Sequence, residues 1–168
     1  MKAGPRFHVK PRRHRQGRTD YRQRLRLLKS RKLRIVVRKS NKNIIVQFIE
    51  YVPHGDTVHV STISNELAKK YNWKYSASST PAAYLTGLIA GKKAIEKGIT
   101  QGIIDIGRYR PTKGNKLFAA LKGVVDAGID CPHDEVMIPS EDRILGKHLD
   151  ENIAKAVEDI KNKIIGGK

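Results

Sequence analysis

Leu33, Ile35 and Val37 alternate with Arg34, Val36 and Arg38, and this period of two predicts a strand. Ser40-Asn41-Lys42-Asn43 carries turn chemistry, and the β-rich run Ile44 to Ile49 follows, so the pair predicts a hairpin. Pro53-His54-Gly55-Asp56 marks the next turn. Beyond it Val58, Val60 and Thr62 alternate with Thr57, His59 and Ser61, a third strand over 57–63. Three consecutive strands joined by short turns predict an antiparallel meander.

The period then lengthens. Glu66 to Tyr71 suits a short helix. Ser79 or Thr80 can cap a long one, with Pro81 in its first turn and Gly98 after its end. Inside it Ala83, Gly87 and Gly91 recur four apart, leaving one stripe very small. That stripe admits close approach to the sheet or to an RNA backbone, and the packing reading is favoured because glycine lets backbones meet. Ile103 to Ile106 is a short apolar strand, and Leu117, Phe118, Leu121 and Val125 mark a second long helix ending at Gly128. Ile153, Val157, Ile160 and Ile164 place a last helix from about Asp150. A meander followed by helix, strand and helix predicts an α/β domain with a mixed sheet.

Ahead of the first strand the pattern changes character. Met1 to Arg18 holds Gly4, Pro5, Pro11 and Gly17 and has no apolar periodicity, so it is expected to lack order until a partner neutralises it. Residues 1–18 are read as a flexible arm and 19–168 as a globular domain. From Thr19 to about Ser30 a helix is expected, capped by Thr19 or Asp20. Tyr21, Leu25 and Leu28 would form the stripe that docks on the domain, with Arg22, Arg26 and Lys29 on another face.

Charge sharpens this division. Residues 1–39 hold 16 lysines and arginines against one acid, Asp20, whereas residues 40–168 hold 18 against 15. Of the net +18, therefore, +15 belongs to the first 39 residues. Solvated helix faces mix signs and this segment does not, which points to a polyanion. Nucleic acid is the usual one. A membrane surface is the weaker alternative, because the basic helix lacks the wide apolar face with Trp or Phe that lying on a bilayer needs. The longest apolar-rich stretch, Ala82 to Ala90, falls far short of the ~20 residues that span a bilayer. The single cysteine, Cys131, excludes an internal disulfide and CxxC-type zinc sites. A cytosolic protein is expected, with no cofactor and no metal.

The residues now align with a known family. Thr19-Asp20-Tyr21-Arg22-Gln23-Arg24-Leu25-Arg26-Leu27-Leu28-Lys29-Ser30, preceded by the basic run Arg12-Arg13-His14-Arg15, resembles the N-terminal signature of the universal large-subunit ribosomal protein L-eighteen family. Val37-Arg38-Lys39-Ser40-Asn41 and Gln47 are similar to its hairpin, and Ala83-Tyr84-Leu85-Thr86-Gly87-Leu88-Ile89-Ala90-Gly91-Lys92-Lys93-Ala94 to its long helix. Asp105-Ile106-Gly107, Gly114-Asn115, Phe118 to Gly123, Asp126 to Ile129 and Pro132-His133 continue the match. The C-terminal half resembles the archaeal and eukaryotic branch, and the short stretch after the last helix points to the archaeal type. The resemblance implies a three-layer α/β/α sandwich of ribonuclease-H-like topology. It also implies a structural role: binding 5S rRNA, attaching it to the large-subunit rRNA in the central protuberance, and meeting neighbouring ribosomal proteins there.

Candidate RNA contacts follow. Arg12, Arg13, Arg15, Arg18, Arg22, Arg24 and Arg26 offer planar donors for phosphates and bases, with Lys29 beside them. Tyr21 can stack on a base or anchor the arm helix, and helical periodicity favours the anchor. Arg38, Lys39, Ser40, Asn41 and Lys42 sit at the hairpin tip, where an ordinary polar turn is the plain alternative. Gln47 can read an RNA edge or a 2′-hydroxyl from the sheet surface. The loop from Gly107 to Gly114 presents Arg108, Arg110 and Lys113 but lacks a Walker ending, so it is either a phosphate holder or a connection.

An RNA-processing nuclease of ribonuclease-H-like fold is the enzymatic alternative. Two-metal catalysis needs converging carboxylates. Asp105 ends a strand, but no carboxylate is expected inside the first two strands, and the other acids cluster late. Cys131-Pro132-His133 puts a thiol near an imidazole, yet sequence adjacency is not catalytic geometry, and a small buried residue is the better reading of Cys131. No catalytic residue is assigned.

Overall fold

The computed structural model describes Gly4 and residues 7–166, except the side chain of Glu151. Four strands form one sheet: β1 Arg34–Lys39, β2 Ile44–Glu50, β3 Thr57–Ile63 and β4 Ile103–Asp105, in the order β3-β2-β1-β4. The first three are an antiparallel meander and β4 runs parallel to β1, giving the expected mixed sheet. Among the described residues the helices are α1 Arg12–Arg15, α2 Tyr21–Leu28, α3 Asn65–Tyr71, α4 Thr80–Glu96, α5 Lys116–Asp126, α6 Glu141–Leu145 and α7 Glu151–Gly166. Sequence reasoning did not foresee α6 or the 3-10 turn Glu135–Met137, because neither is long enough to show a period. No helix of the described residues is long and apolar enough to cross a membrane.

The inner face of the sheet supplies Ile35, Val37, Ile44, Val46, Phe48 and Val60 to a core completed by α4 and α5. A second core forms where α4 meets α3, α6 and α7, with Leu85, Leu88 and Ile89 against Leu67, Ile144, Ile153, Val157 and Ile160. Helix α4 is thus packed on both sides, and 13 of its 17 residues are buried. Being apolar nearly all round, it is a central helix and not a surface one. Lys92 secures α7 by donating to the carbonyl of Ile164. Helix α2 lies on the opposite, outer face of the sheet, so the chain has the α/β/α layering that the resemblance implies.

Three expectations need correction. The stripe Ala83-Gly87-Gly91 does not serve the sheet: a Cβ on Gly87 would sit 2.0 Å from the carbonyl oxygen of Ala120, and one on Gly123 would sit 2.1 Å from that of Tyr84. The small residues let α4 and α5 run side by side in backbone contact, in parallel, with both N-termini at the same end. Val58 does not join Val60 and Thr62 inside. A register shift opposite Phe48 and Ile49 leaves His59 as the extra residue, and the bulge turns Val58 outward. Strand β2 reaches Glu50, so a carboxylate does stand in the second strand, where its Oε2 lies 2.8 Å from Nε2 of His59 at the surface.

The N-terminal segment shows more regularity than its composition suggests. Pro11 holds the extended backbone before α1, and Arg12–Arg15 complete one fully exposed turn. Residues 1–3 and 5–6 of the expected flexible arm, like 167–168 of the expected domain, lie outside the described residues.

Candidate nucleic-acid interface

Helix α2 begins at Asp20, whose carboxylate accepts from the backbone N–H groups of Arg22 and Gln23. Those bonds, chiefly that from Gln23, outweigh desolvation and hold the carboxyl below its ordinary value. The helix docks differently from the expectation. Tyr21 is 38% exposed and Leu25 58%, so the stripe Tyr21-Leu25-Leu28 is not the docking face and Tyr21 is not an anchor. Gln23, Arg24, Leu27 and Leu28 are half-buried instead. Arg24 orients the helix: it donates to both oxygens of Asp56 at 2.7 and 2.9 Å, and its guanidinium lies 5.8 Å from the centre of the Tyr51 ring. An ion pair in which one guanidinium nitrogen is shared by both carboxylate oxygens, plus a cation–π contact, outweighs one leucine's worth of stripe. Arg22, Arg26 and Lys29 face outward as expected, now with Leu25 among them.

The Arg24–Asp56 pair is the outer rung of a ladder. Asp56 also accepts from Arg34 at 2.6 Å, Arg34 donates to Asp105 at 3.1 Å, and Arg38 reaches the other oxygen of Asp105 at 3.0 Å. The Gly107 N–H and the carbonyl of Asp105 add bonds of 2.8 Å from the glycine and 2.6 Å from Arg38. Strand pairing explains the ladder: Arg34, Val36 and Arg38 share the outer face of β1, and Asp105 stands beside Val36 in the parallel register. Alternation alone would leave Arg34 at the surface, yet it is only 3% exposed. A buried guanidinium needs partners, and two carboxylates supply them. Burial works to raise the Asp56 carboxyl, but hydrogen bonds from Arg24 and Arg34 prevail and hold it below the ordinary range.

Between α2 and this ladder lies a cleft of about 520 Å3 that gathers Arg13, Arg18, Tyr21, Arg24, Arg38 and Arg108 from the expected contacts. Arg34, Tyr51, Asp56 and Asp105 line it as well, and none of these four was singled out as an RNA contact. Asp56 carried only a turn signal, and Tyr51, the residue after β2, carried none.

A second group forms at the hairpin tip. Ser40 closes the turn, its N–H and hydroxyl donating to the Asn43 carbonyl while its oxygen accepts from the N–H groups of Lys42 and Asn43. Its hydroxyl is therefore committed to the turn, whereas Lys39, Asn41 and Lys42 are exposed. The Tyr109 hydroxyl donates to the carbonyl of Lys39 at 2.6 Å, pinning the 107–114 loop to the tip, and the Lys39 ammonium lies 5.4 Å from the ring centre. Lys39, Ser40 and Asn41 thereby meet Tyr109, Ser78 and Lys116 around a shallow cavity beside the N-termini of α4 and α5. Tyr109 and Lys116 were missed because the loop gave no sign of which element it would fold against.

The remaining candidates stay apart. Arg12 and Arg15 project from α1, and Arg110 and Lys113 are exposed on the loop. Gln47 lies half-buried on the outer sheet face, its amide donating to Ser61 at 3.2 Å. No group of three or more His, Cys, Asp or Glu able to hold a metal occurs among the described residues. Cys131 is buried, which pushes its thiol up to about 11, and His133 turns Nδ1 to the backbone oxygen of Cys131, away from any thiol chemistry.

A model of the family described as ribosomal large subunit proteins 60S L5 and 50S L18 matches residues 5–103 and 96–134. A large ribosomal subunit protein uL18 of Korarchaeum cryptofilum is 54% identical over 149 residues, covering 89% of this chain and 76% of that protein. The uL18 of Aeropyrum pernix is 46% identical over 89% of this chain and 70% of its own length. That of Methanococcoides burtonii is 46% identical over 98% of both. With an archaeal-type match of this extent, the chain belongs to the family of ribosomal large subunit proteins 60S L5 and 50S L18, as a structural protein and not an enzyme.

Proposed function

We propose that this protein binds 5S rRNA and attaches it to the large-subunit rRNA in the central protuberance, beside neighbouring ribosomal proteins. The observation that carries the reading is the segregation of charge: 16 of the 34 lysines and arginines precede residue 40 with a single acid among them. The guanidiniums of Arg12, Arg13, Arg15, Arg18, Arg22 and Arg26 offer forked donors suited to phosphate oxygens. Residues 1–18 act as an arm that enters crevices between RNA helices, and residues 19–168 as the domain that presents the sheet face and hairpin. Arg110 and Lys113 are exposed on the 107–114 loop, which Tyr109 pins to the hairpin tip, and add basic groups to it. Asn41 and Gln47 supply contacts that charge alone cannot, through hydrogen bonds to base edges and 2′-hydroxyls, and Lys42 adds charge at the same tip.

The test is an electrophoretic shift of labelled 5S rRNA, competed by an unrelated structured RNA and by duplex DNA. Retention of the shifted band against both competitors is the expected result. Equal displacement by unrelated RNA would reduce the reading to general polyanion binding.

A further inference from the structure

The cleft between α2 and the outer sheet face is unusual in what it holds together. Its volume of about 520 Å3 suits a small molecule or one residue of a polymer, and a nucleic-acid duplex cannot enter it. Six arginines line it, against Asp20, Asp56 and Asp105. All three carboxylates are already engaged, Asp20 by the N–H groups of α2 and the other two by Arg24, Arg34 and Arg38. Among the described residues Arg18 and Arg108 form no ion pair, and Arg13 spends its Nε on the hydroxyl of Thr19. The cleft therefore has an excess of donors and of positive charge.

It also has aromatic surface that the fold uses only in part. Tyr51 is 52% exposed, with Arg24 near one face of its ring, and Tyr21 opens into the same space. A core residue would be covered, and a solubilising one would not be aromatic. Rings and guanidinium planes side by side are what an unstacked base requires, with further guanidiniums for its phosphate. We infer that this cleft receives a single unstacked nucleotide of ribosomal RNA, its base against Tyr51 and its phosphate on Arg18 and Arg108. The inference rests on the rRNA-binding reading and adds to it a pocket, a stacking residue and a ligand of stated size.

The full chain would be bound to 5S rRNA carrying 4-thiouridine, irradiated, digested and mapped by mass spectrometry. The affinity of Tyr51→Ala and Tyr51→Phe would be measured in parallel, after thermal melting shows both folded. A cross-link to Tyr51 or Tyr21 is expected. Tyr51→Ala should bind roughly 5- to 150-fold more weakly, the range for losing one stacked base, and Tyr51→Phe should bind like the wild type because its ring remains. Cross-links confined to the arm and hairpin, or a Tyr51→Ala variant of unchanged affinity, would overturn the inference while leaving 5S rRNA binding intact. The converse outcome is separable: a cross-link at Tyr51 with 5S and unrelated RNA alike would sink the 5S preference and keep the pocket.

Discussion

Arg34 and Asp105 show how strongly one buried pair can constrain a surface. Each is almost wholly enclosed, and each is held by two partners of opposite sign. Removing Asp105 leaves Arg34 with Asp56 alone and Arg38 with no carboxylate, so Asp105→Ala should cost about 3 kcal/mol, the low end for breaking a buried pair. A loss of that size lowers the melting temperature by roughly 6–12 °C in a chain of this length. Asp56→Ala should cost much less, because its carboxylate is partly solvated and Arg34 keeps Asp105. A melting comparison in which the two variants fall equally would refute this ranking. The pH dependence has a definite sign. Because the folded Asp56 carboxyl lies below its ordinary value, its stabilisation is complete above about 3.9 and disappears as pH falls through the lower folded value. Cys131 gives a second expectation at this scale. Its buried thiol, raised to about 11, is nearly all protonated at neutral pH, so iodoacetamide should label it only after unfolding. Rapid labelling of the native protein would show that the thiol is accessible.

At the scale of elements, helix packing is governed by what is missing from α4 and α5. Gly87 faces the Ala120 carbonyl and Gly123 the Tyr84 carbonyl at distances no Cβ can occupy. Intrinsic propensity favours alanine over glycine in a helix by about 1 kcal/mol. Here the clash reverses that preference, so Gly87→Ala and Gly123→Ala should each destabilise by about 1–3 kcal/mol in denaturant titration. Stabilisation by either would mean the helices can part without loss. The same contrast explains what was legible beforehand. Strands, caps and the four-residue spacing of small residues are local, and the bounds of β3, the cap at Ser79 or Thr80 and the start of α7 follow from them. The partner of the glycine stripe is not local: helix and sheet both demand small residues, and only tertiary topology selects α5. Docking of α2 misled for a related reason. Three apolar residues at helical spacing outweigh one arginine in any reading of pattern, but Asp56 stands 32 residues away from Arg24, so the ion pair that decides the face has no local signature. The cleft was half legible for the same cause, since its arginines announce themselves by charge while Tyr51, Arg34 and Asp105 acquire their roles only through strand register.

For the whole molecule, the uneven charge predicts a division between positioning and specificity. Contacts to phosphates strengthen binding without reading sequence, and each releases counterions. If the arm neutralises about six phosphates, log affinity should fall with log salt at a slope near −4 to −5. A chain lacking residues 1–18 should show a flatter slope and weaker binding to 5S rRNA and to unrelated structured RNA by similar factors. Arg13 and Arg18 leave the cleft in that truncation, while the Arg24–Asp56 pair that seats α2 remains, so the domain should keep its melting temperature. The hairpin should behave oppositely. Asn41 is exposed at the tip and carries no charge, so Asn41→Ala should leave the salt slope unchanged. It should cost about 1–1.5 kcal/mol on 5S rRNA, one typical hydrogen bond, with little effect on unrelated RNA. Gln47→Ala should cost less, because the Gln47 amide is already satisfied by Ser61 in the free protein and must exchange that partner to reach RNA. Salt titrations of the four proteins on both RNAs decide the matter. If the truncation keeps the full slope, the electrostatic contact lies in the domain, on the outward face of α2 or the loop carrying Arg110 and Lys113. If Asn41→Ala weakens both RNAs in parallel, the hairpin tip contributes affinity alone and discrimination must come from elsewhere on the sheet face.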